Sequence, residues 1–275
     1  MPDQSPTPRH NGAVTVAEPS AAGRAERVLL AGDWHGNVEW AQGCLEVAAT
    51  SGCQAVLQLG DFGLWPGRED SYLDRLDEAA RSSAVKLVWI DGNHENHNAL
   101  DVWRAEADPA GLVSMRPNVV WASRGARWEW SGVRFGALGG AVSIDRFLRR
   151  AGVNWWPQET PTERDVDRLG DASLDVLATH AAPGAVAFPF RPLPLPNDIV
   201  EEARRSREML DEAVRRTRPR LVVHGHHHVR IRADQPGYRV EGLAHDKAGE
   251  GACAVLDLGP GLTVTDPLVT PTGKK

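Results

Sequence analysis

With 275 residues, 41% of them hydrophobic and 25% charged, the chain has the composition of an ordinary soluble globular protein and can bury one sizeable core. Its formal net charge of −6 argues against a protein whose main task is to hold a long polyanion, which normally needs a basic face. The three cysteines, Cys44, Cys53 and Cys253, are odd in number and far apart, so they exclude a disulfide framework and point to a reducing, cytoplasmic compartment.

Residues 1–24 mix Pro, Ser, Ala and Gly without an apolar run, which predicts a disordered leader and neither a signal peptide nor an anchor. One domain over 25–267 and a flexible tail over 268–275 complete the expected organisation. No stretch approaches the ~20 apolar residues needed to span a bilayer. Short apolar runs bounded by glycine predict buried strands at 28–31, 55–59, 86–90, 174–178 and 221–223. Helical spacing predicts helices over 39–50, 70–83 and 198–217, the last capped at Asn197 and Asp198 and stopped ahead of Pro219. Over 118–138 the pattern becomes aromatic-rich alternation, as in Trp128-Glu129-Trp130, which suits antiparallel strands; 238–264 again reads as strand with Gly-rich turns. Alternation of strand and helix implies a layered α/β fold with its chemistry at strand C-termini.

Five polar segments stand where the apolar runs end: Gly32-Asp33-Trp34-His35-Gly36-Asn37, Gly60-Asp61-Phe62-Gly63, Gly92-Asn93-His94-Glu95, Thr179-His180 and Gly225-His226-His227-His228. Each alone is weak, because Gly-Asp and Gly-His pairs are common in turns. Together they offer carboxylate, imidazole and amide donors without thiolate, a set suited to Mn, Fe, Zn or Mg, whereas a structural zinc site usually recruits cysteine.

Their order and spacing resemble the calcineurin-like metallophosphoesterase superfamily, whose pattern runs Asp-x-His, Gly-Asp, Gly-Asn-His-Glu or -Asp, a lone His, then Gly-His-x-His. The resemblance spans roughly 27–229, and every ligand position is filled. It implies a two-sheet β-sandwich flanked by helices, four layers in the order αββα, forming a single catalytic domain. It also implies two divalent cations, manganese favoured. One would be held by Asp33, His35 and His228, the other by Asn93, His180 and His226, with Asp61 bridging both. Two carboxylates offset only part of a charge of roughly +4, leaving a centre that attracts phosphate. The expected reaction is hydrolysis of a phosphate ester by direct attack of a metal-bridging hydroxide, with His94 as general acid for the leaving alcohol.

Around this set, Asp91 and Glu95 are candidates to orient His94, with capping or surface charge as the alternative. His224 and His227 lie off the pattern and read as supporting or exposed residues; His97 and His245 receive no role. Residues 138–157 resemble a stretch found in a bacterial and phage subset of these enzymes. Arg146 is the candidate phosphate contact, and Trp155 and Trp156 a stacking platform for a base or ring. The alternative has Arg146 and Arg149 paired with local carboxylates and the tryptophans in the core. The Pro-rich segment 183–196 reads as a surface rim.

The expected substrate is a phosphorylated small molecule or a phosphoprotein. Ser/Thr phosphoprotein phosphatases follow the bridging Asp with Asp-Arg-Gly, whereas Asp61 here leads into Phe62-Gly63-Leu64-Trp65, which weakens that alternative. A phosphodiesterase or nuclease is the other enzyme alternative, and the acidic balance argues against nucleic acid. A metal-bound regulatory binding module is the non-enzymatic alternative, and the complete ligand set argues against it.

Overall fold

The apolar runs form strands and the helical spacings form helices in the computed structural model, which describes residues 22–188 and 194–271. The strands are β1 (Arg27–Ala31), β2 (Ala55–Gln58), β3 (Lys86–Trp89), β4 (Leu112–Arg116), β5 (Val119–Ala122), β6 (Arg127–Trp130), β7 (Val133–Leu138), β8 (Val176–Thr179), β9 (Leu221–His224), β10 (Ile231–Gln235), β11 (Tyr238–Gly242), β12 (Cys253–Asp257) and β13 (Thr263–Thr265). The helices are α1 (Val38–Thr50), α2 (Glu69–Ser83), α3 (His97–Trp103), α4 (Glu163–Leu169) and α5 (Asn197–Thr217).

One sheet has the order β13-β12-β1-β2-β3-β5-β4 and the other β10-β11-β9-β8-β7-β6. In each, a parallel centre is bordered by antiparallel strands: β1, β2, β3 and β5 run parallel in the first, and β7, β8, β9 and β11 in the second. Parallel strands covered on both faces need apolar residues at every position, which is why these segments read as continuous runs.

The two-residue period then sorts each strand between two cores. Val28 and Leu30 of β1 meet Phe135, Val176 and Leu221 of the other sheet, filling the sandwich. Leu29 and Ala31 turn the other way, toward Leu45 of α1 and Leu73 and Leu76 of α2. On the far side Leu177 and Val222 pack beneath Val166 of α4 and Leu210 and Val214 of α5. Three apolar layers therefore separate four structural ones, the expected αββα arrangement.

Several local features differ from the sequence reading. The 118–138 segment is antiparallel only in part: β4–β5 and β6–β7 are antiparallel pairs, but β5 also runs parallel to β3 and β7 parallel to β8. Between β6 and β7, Ser131 and Gly132 both have positive φ, the twist that a two-residue hairpin requires. Helix α5 starts at Asn197 with Pro196, not Asn197 or Asp198, as N-cap, and it has no side-chain cap bond because the proline ring offers no acceptor; the Asp198 carboxylate pairs with Arg146. Ala22 is buried and its carbonyl accepts a hydrogen bond from Trp130 Nε1; residues 1–21 of the expected leader and 272–275 of the expected tail lie outside the described residues. Among the described residues no helix is long and apolar enough to cross a membrane.

Candidate metal centre

Because β1, β2 and β3 are parallel, the segments that follow them emerge at one edge of their sheet: Asp33 and His35 after β1, Asp61 after β2, Asn93 and His94 after β3. The parallel pair β8 and β9 delivers His180, His226 and His228 from the second sheet. Backbone hydrogen bonds lock these segments together. Trp34 N and His35 N donate to the Asp61 carbonyl at 3.0 and 2.8 Å, and Gly225 N donates to the His180 carbonyl at 3.1 Å. Asp61 Oδ1 accepts from Asn93 N and His94 N, both at 3.0 Å, and Asp33 Oδ1 accepts from His226 N at 2.9 Å.

The motif glycines leave the space for this closeness. A Cβ at Gly92 would lie 2.2 Å from Asp61 N and 2.3 Å from its Oδ1, and one at Gly60 would lie 2.3 Å from His180 Nδ1. Four of the expected ligands, His35, Asp61, His226 and His228, have positive φ between 46° and 63°, a region that costs a side-chain-bearing residue about 1–3 kcal/mol.

The two oxygens of Asp61 face different partners. Oδ2 lies 3.4 Å from His35 Nε2, and Oδ1 lies 3.3 Å from His180 Nε2. His180 Nε2 is also 3.1 Å from Asn93 Oδ1, and His226 packs edge-on against the His180 ring at 4.9 Å. On the other side, His228 Nε2 lies 3.0 Å from Asp33 Oδ2, and donor atoms of Asp33, His35, Asp61 and His228 all fall within 4.8 Å of one another. Asp33 Oδ2 is buried and has no hydrogen-bond partner despite that 3.0 Å approach. Atoms so close yet out of alignment with one another are placed as ligands of a shared cation would be, and a buried carboxylate oxygen without a partner is otherwise expensive.

Charge tells the same story. Burial opposes protonation of His35, but its hydrogen bond to Asp61 and the charges of Asp61, Asp33 and Asp246 outweigh it and raise the ring to about 9. His180 follows the same balance, burial against Asp61, Asp33 and the Leu59 carbonyl, and rises to about 10. Asp61, which burial would push up, is held well below the usual carboxylate range by His94 and His180. The centre draws protons because it is rich in negative charge, and divalent cations satisfy the same demand.

The surrounding shell fixes ligand orientation. His180 Nδ1 faces the Leu59 carbonyl at 2.7 Å; a carbonyl can only accept, so Nδ1 carries a proton and Nε2 is the nitrogen turned toward Asp61 and Asn93, where a cation would take the place of its proton. His35 Nδ1 lies 3.5 Å from Asp246 Oδ1, and Asn37 Nδ2 donates to Asp246 Oδ2 at 2.8 Å. Asn93 Nδ2 donates to Ser143 Oγ at 3.0 Å, which in turn donates to Glu159 Oε2 at 2.8 Å. His94 lies at the edge: its Nε2 is 3.8 Å from Asp61 Oδ2, and Arg149 stands against the ring.

The structure thus brings together Asp33, His35, Asp61, Asn93, His94, His180, His226 and His228. It does not bring the expected substrate contacts to them. Arg146 is held by Glu202 and Asp198 of α5. Trp155, half-buried, donates its Nε1 hydrogen to Glu159 Oε1 at 3.0 Å, and Trp156 is 3% exposed beside His97, which closes the Trp156 ring to stacking. Asp91 does not orient His94 either: it forms a buried ion pair with Arg124 at 2.7 Å. Glu95 accepts from Gly63 N and Gly92 N, holding the turns, and burial followed by the Asp61 charge pushes its carboxyl up to about 8. His227 packs on Phe188 and accepts from Ala182 N, while His224 is buried beside the Gly225 carbonyl.

Ser143, Glu159, Asp246, Arg149 and His245 were not singled out as site residues in the sequence. Ser143 follows the Gly139-Gly140 pair and Arg149 lies in the same arginine-bearing segment, so both stood in a region with a visible signal. Asp246 and His245 lie between β11 and β12, where periodicity and spacing carry none; His245 stacks on His228 with ring centres 4.4 Å apart.

Comparison with known proteins agrees with this geometry. The calcineurin-like phosphoesterase family profile matches residues 26–230. No curated protein sequence matches the chain. Among solved structures, TT1561 of Thermus thermophilus superposes with a TM-score of 0.57 at 13% identity, covering 87% of this chain and 97% of the other. A dimetal phosphatase from Danio rerio does so with a TM-score of 0.50 at 12% identity, covering 90% and 99%. At these identities the likenesses speak for the fold, and the family follows from the profile match over most of the chain: the protein belongs to the calcineurin-like phosphoesterases and is a metal-dependent phosphoester hydrolase.

Proposed function

We propose that the chain hydrolyses phosphate esters of small molecules or phosphoproteins at a dinuclear centre made by Asp33, His35, Asp61, Asn93, His180, His226 and His228. The observation that carries this reading is the clustering of donor atoms of Asp33, His35, Asp61 and His228 within 4.8 Å of one another, with Asp33 Oδ2 a buried oxygen without a hydrogen-bond partner. Thiolate-free oxygen and nitrogen donors favour manganese, with iron, zinc and magnesium fitting the same chemistry. Two divalent ions, when bound, supply Lewis acidity: they offset phosphate charge and lower the pKa of water toward neutrality.

The chain's own residues do the rest. Asp61 presents one oxygen to the His35 side and one to the His180 side, so it ties the two halves of the centre. Leu59 and Asp246 hold the two imidazoles with Nε2 inward. His94, near Asp61 Oδ2 but outside the converging set, donates a proton to the departing alcohol oxygen as water attacks phosphorus directly. Burial lowers the His94 ring, Asp61 opposes this, and Arg149 adds to it. The free, buried cysteines fit a reducing, cytoplasmic setting. Assay of an aryl phosphate with manganese supplied, and again after chelation, tests the reading: turnover that is lost on chelation and restored by the ion is expected, and no turnover with two ions bound overturns it.

A further inference from the structure

The geometry points to Arg149 as the residue that reads the substrate phosphate and tunes the centre for monoesters over diesters, an inference that rests on the phosphoesterase reading above. Arg149 follows the short helical turn Arg146–Leu148. Asp145 grips it bidentately, accepting from Nε at 2.7 Å and from Nη2 at 2.9 Å, which fixes the guanidinium plane. The fork reaches His94: Nη1 lies 2.6 Å from Nδ1 and Nη2 lies 2.8 Å from Nε2. Nη1 also reaches the Asn154 carbonyl at 3.3 Å. The side chain is 12% exposed, so it is held at the mouth of the centre and does not trail in solvent.

The contact with His94 is chemically mismatched. A neutral imidazole has one nitrogen that can accept and one that carries hydrogen, and an imidazolium has none that can accept. At least one arm of the fork therefore faces a ring nitrogen that cannot take its hydrogen. A phosphate oxygen edge accepts both arms, as carboxylate does in the Asp145 pair. His94 Nε2 is itself 3.8 Å from Asp61 Oδ2, so a phosphate between the arginine and the converging carboxylates stays within reach of the expected proton donor.

The substrate class follows from charge counting. A phosphate monoester carries three terminal oxygens and up to two negative charges; a diester carries two and one. An added guanidinium at the edge of a centre that its divalent ions would make cationic meets the third oxygen of the monoester, which the diester lacks. Arg149 is thus a specificity-determining contact, and Asp145 its positioning residue.

The test compares wild type with R149Q, R149K and D145N, each checked for melting temperature and bound manganese. Two quantities are read: the affinity of the manganese-loaded protein for inorganic phosphate by isothermal titration, and the ratio of kcat/KM for an aryl phosphate monoester to that for the matching diester. For R149Q, phosphate affinity and this ratio should each fall by about tenfold to a hundredfold, the scale of a charged hydrogen-bonded contact. R149K should recover part of the loss, since it restores charge without the fork, and D145N should fall between wild type and R149Q. Unchanged phosphate affinity and an unchanged ratio in the folded, metal-loaded variants overturn the proposal. If R149Q does not fold, R149K and D145N decide by the same two readings. Absence of turnover in metal-loaded wild type undoes the phosphoesterase reading instead, and phosphate titration still decides the place of Arg149.

Discussion

Replacing Ser143 by alanine isolates how far the surrounding hydrogen bonds hold a cation in this protein. The Asn93 side chain is buried, with Oδ1 3.1 Å from His180 Nε2 and Nδ2 donating to Ser143 Oγ at 3.0 Å. That hydroxyl in turn donates a hydrogen bond to Glu159 Oε2 at 2.8 Å, while Ser143 N and Trp155 Nε1 donate to Oε1 at 2.6 and 3.0 Å. Ser143→Ala therefore leaves a buried amide hydrogen without an acceptor and frees the amide to turn its oxygen away from the centre. The lost partner costs about 1–3 kcal/mol. Released as stability, that lowers the melting temperature of the metal-free protein by about 2–12 °C, at about 2–4 °C per kcal/mol. Released at the ligand, it lowers cation affinity about 10–100-fold, the range seen when the partners of metal ligands are removed. Glu159→Gln should do less, because an amide oxygen still accepts from Ser143 N and Trp155 Nε1. Titration of metal-free protein with manganese, followed by calorimetry, measures the affinity directly. If Ser143→Ala binds within twofold of wild type, Asn93 is either not a ligand or not held through Ser143.

Three further outcomes are expected. His94→Gln should reduce kcat about 10²–10⁴-fold with metal content unchanged; parallel loss of metal would show that His94 is a ligand. Chelation should lower the melting temperature, since a cation at a hundred times its Kd stabilises the folded state by about 2.7 kcal/mol; thermal melts across a manganese series that coincide with the chelated sample refute binding to the folded centre. Asp91→Ala should cost up to about 3–5 kcal/mol by taking the close carboxylate from buried Arg124, which keeps only Asp165 at 3.9 Å and the Glu159 and Thr160 carbonyls, without moving the pH profile of turnover. Burial pushes the Asp91 carboxyl up, but the charges of Arg124, His97 and Arg104 outweigh it and hold it low, so its contribution is present above the unfolded carboxylate pKa of about 3.9 and fades as pH falls through the lower folded value. Acid denaturation curves should accordingly converge for wild type and variant in that range.

The candidate ligand set was legible because its chemistry is local: Asp33, His35, Asp61, Asn93 and His226 each sit beside a glycine close to the end of an apolar run, and both signals survive in one dimension. The four layers were legible only by resemblance, since runs such as Val28-Leu29-Leu30 are buried on both faces and periodicity cannot say which side faces which partner. Helix α4 carried a readable start, Thr162 followed by Asp165, but its seven residues are too few for a periodic stripe. The substrate contacts were least legible. Arg146 and Arg149 look alike in sequence, and what separates them is that α5 offers Glu202 and Asp198 to one while Asp145 turns the other toward His94. The tryptophans were ambiguous for the same reason: nothing local says that Trp155 hydrogen-bonds Glu159.

The conformations of the candidate ligands show how much of the centre's geometry is held by the surrounding frame. His35, Asp61, His226 and His228 would each relax out of the left-handed region if their backbone were free. They are held by neighbours that belong to other strands: the Asp61 carbonyl receives His35 N, Asp33 Oδ1 receives His226 N, and the absence of a side chain at Gly60 and Gly92 lets His180 and Asp61 close against the backbone. The strain is thus borne by the two sheets, whose parallel strands fix the spacing of the five segments, and not by the binding step. A cation held in such a frame would offset the mutual repulsion of Asp33 and Asp61. Loosening the frame should therefore weaken metal affinity before it unfolds the protein, and a Gly60→Ala variant, whose new methyl group would press on His180 Nδ1, is the change that would do so without altering a ligand.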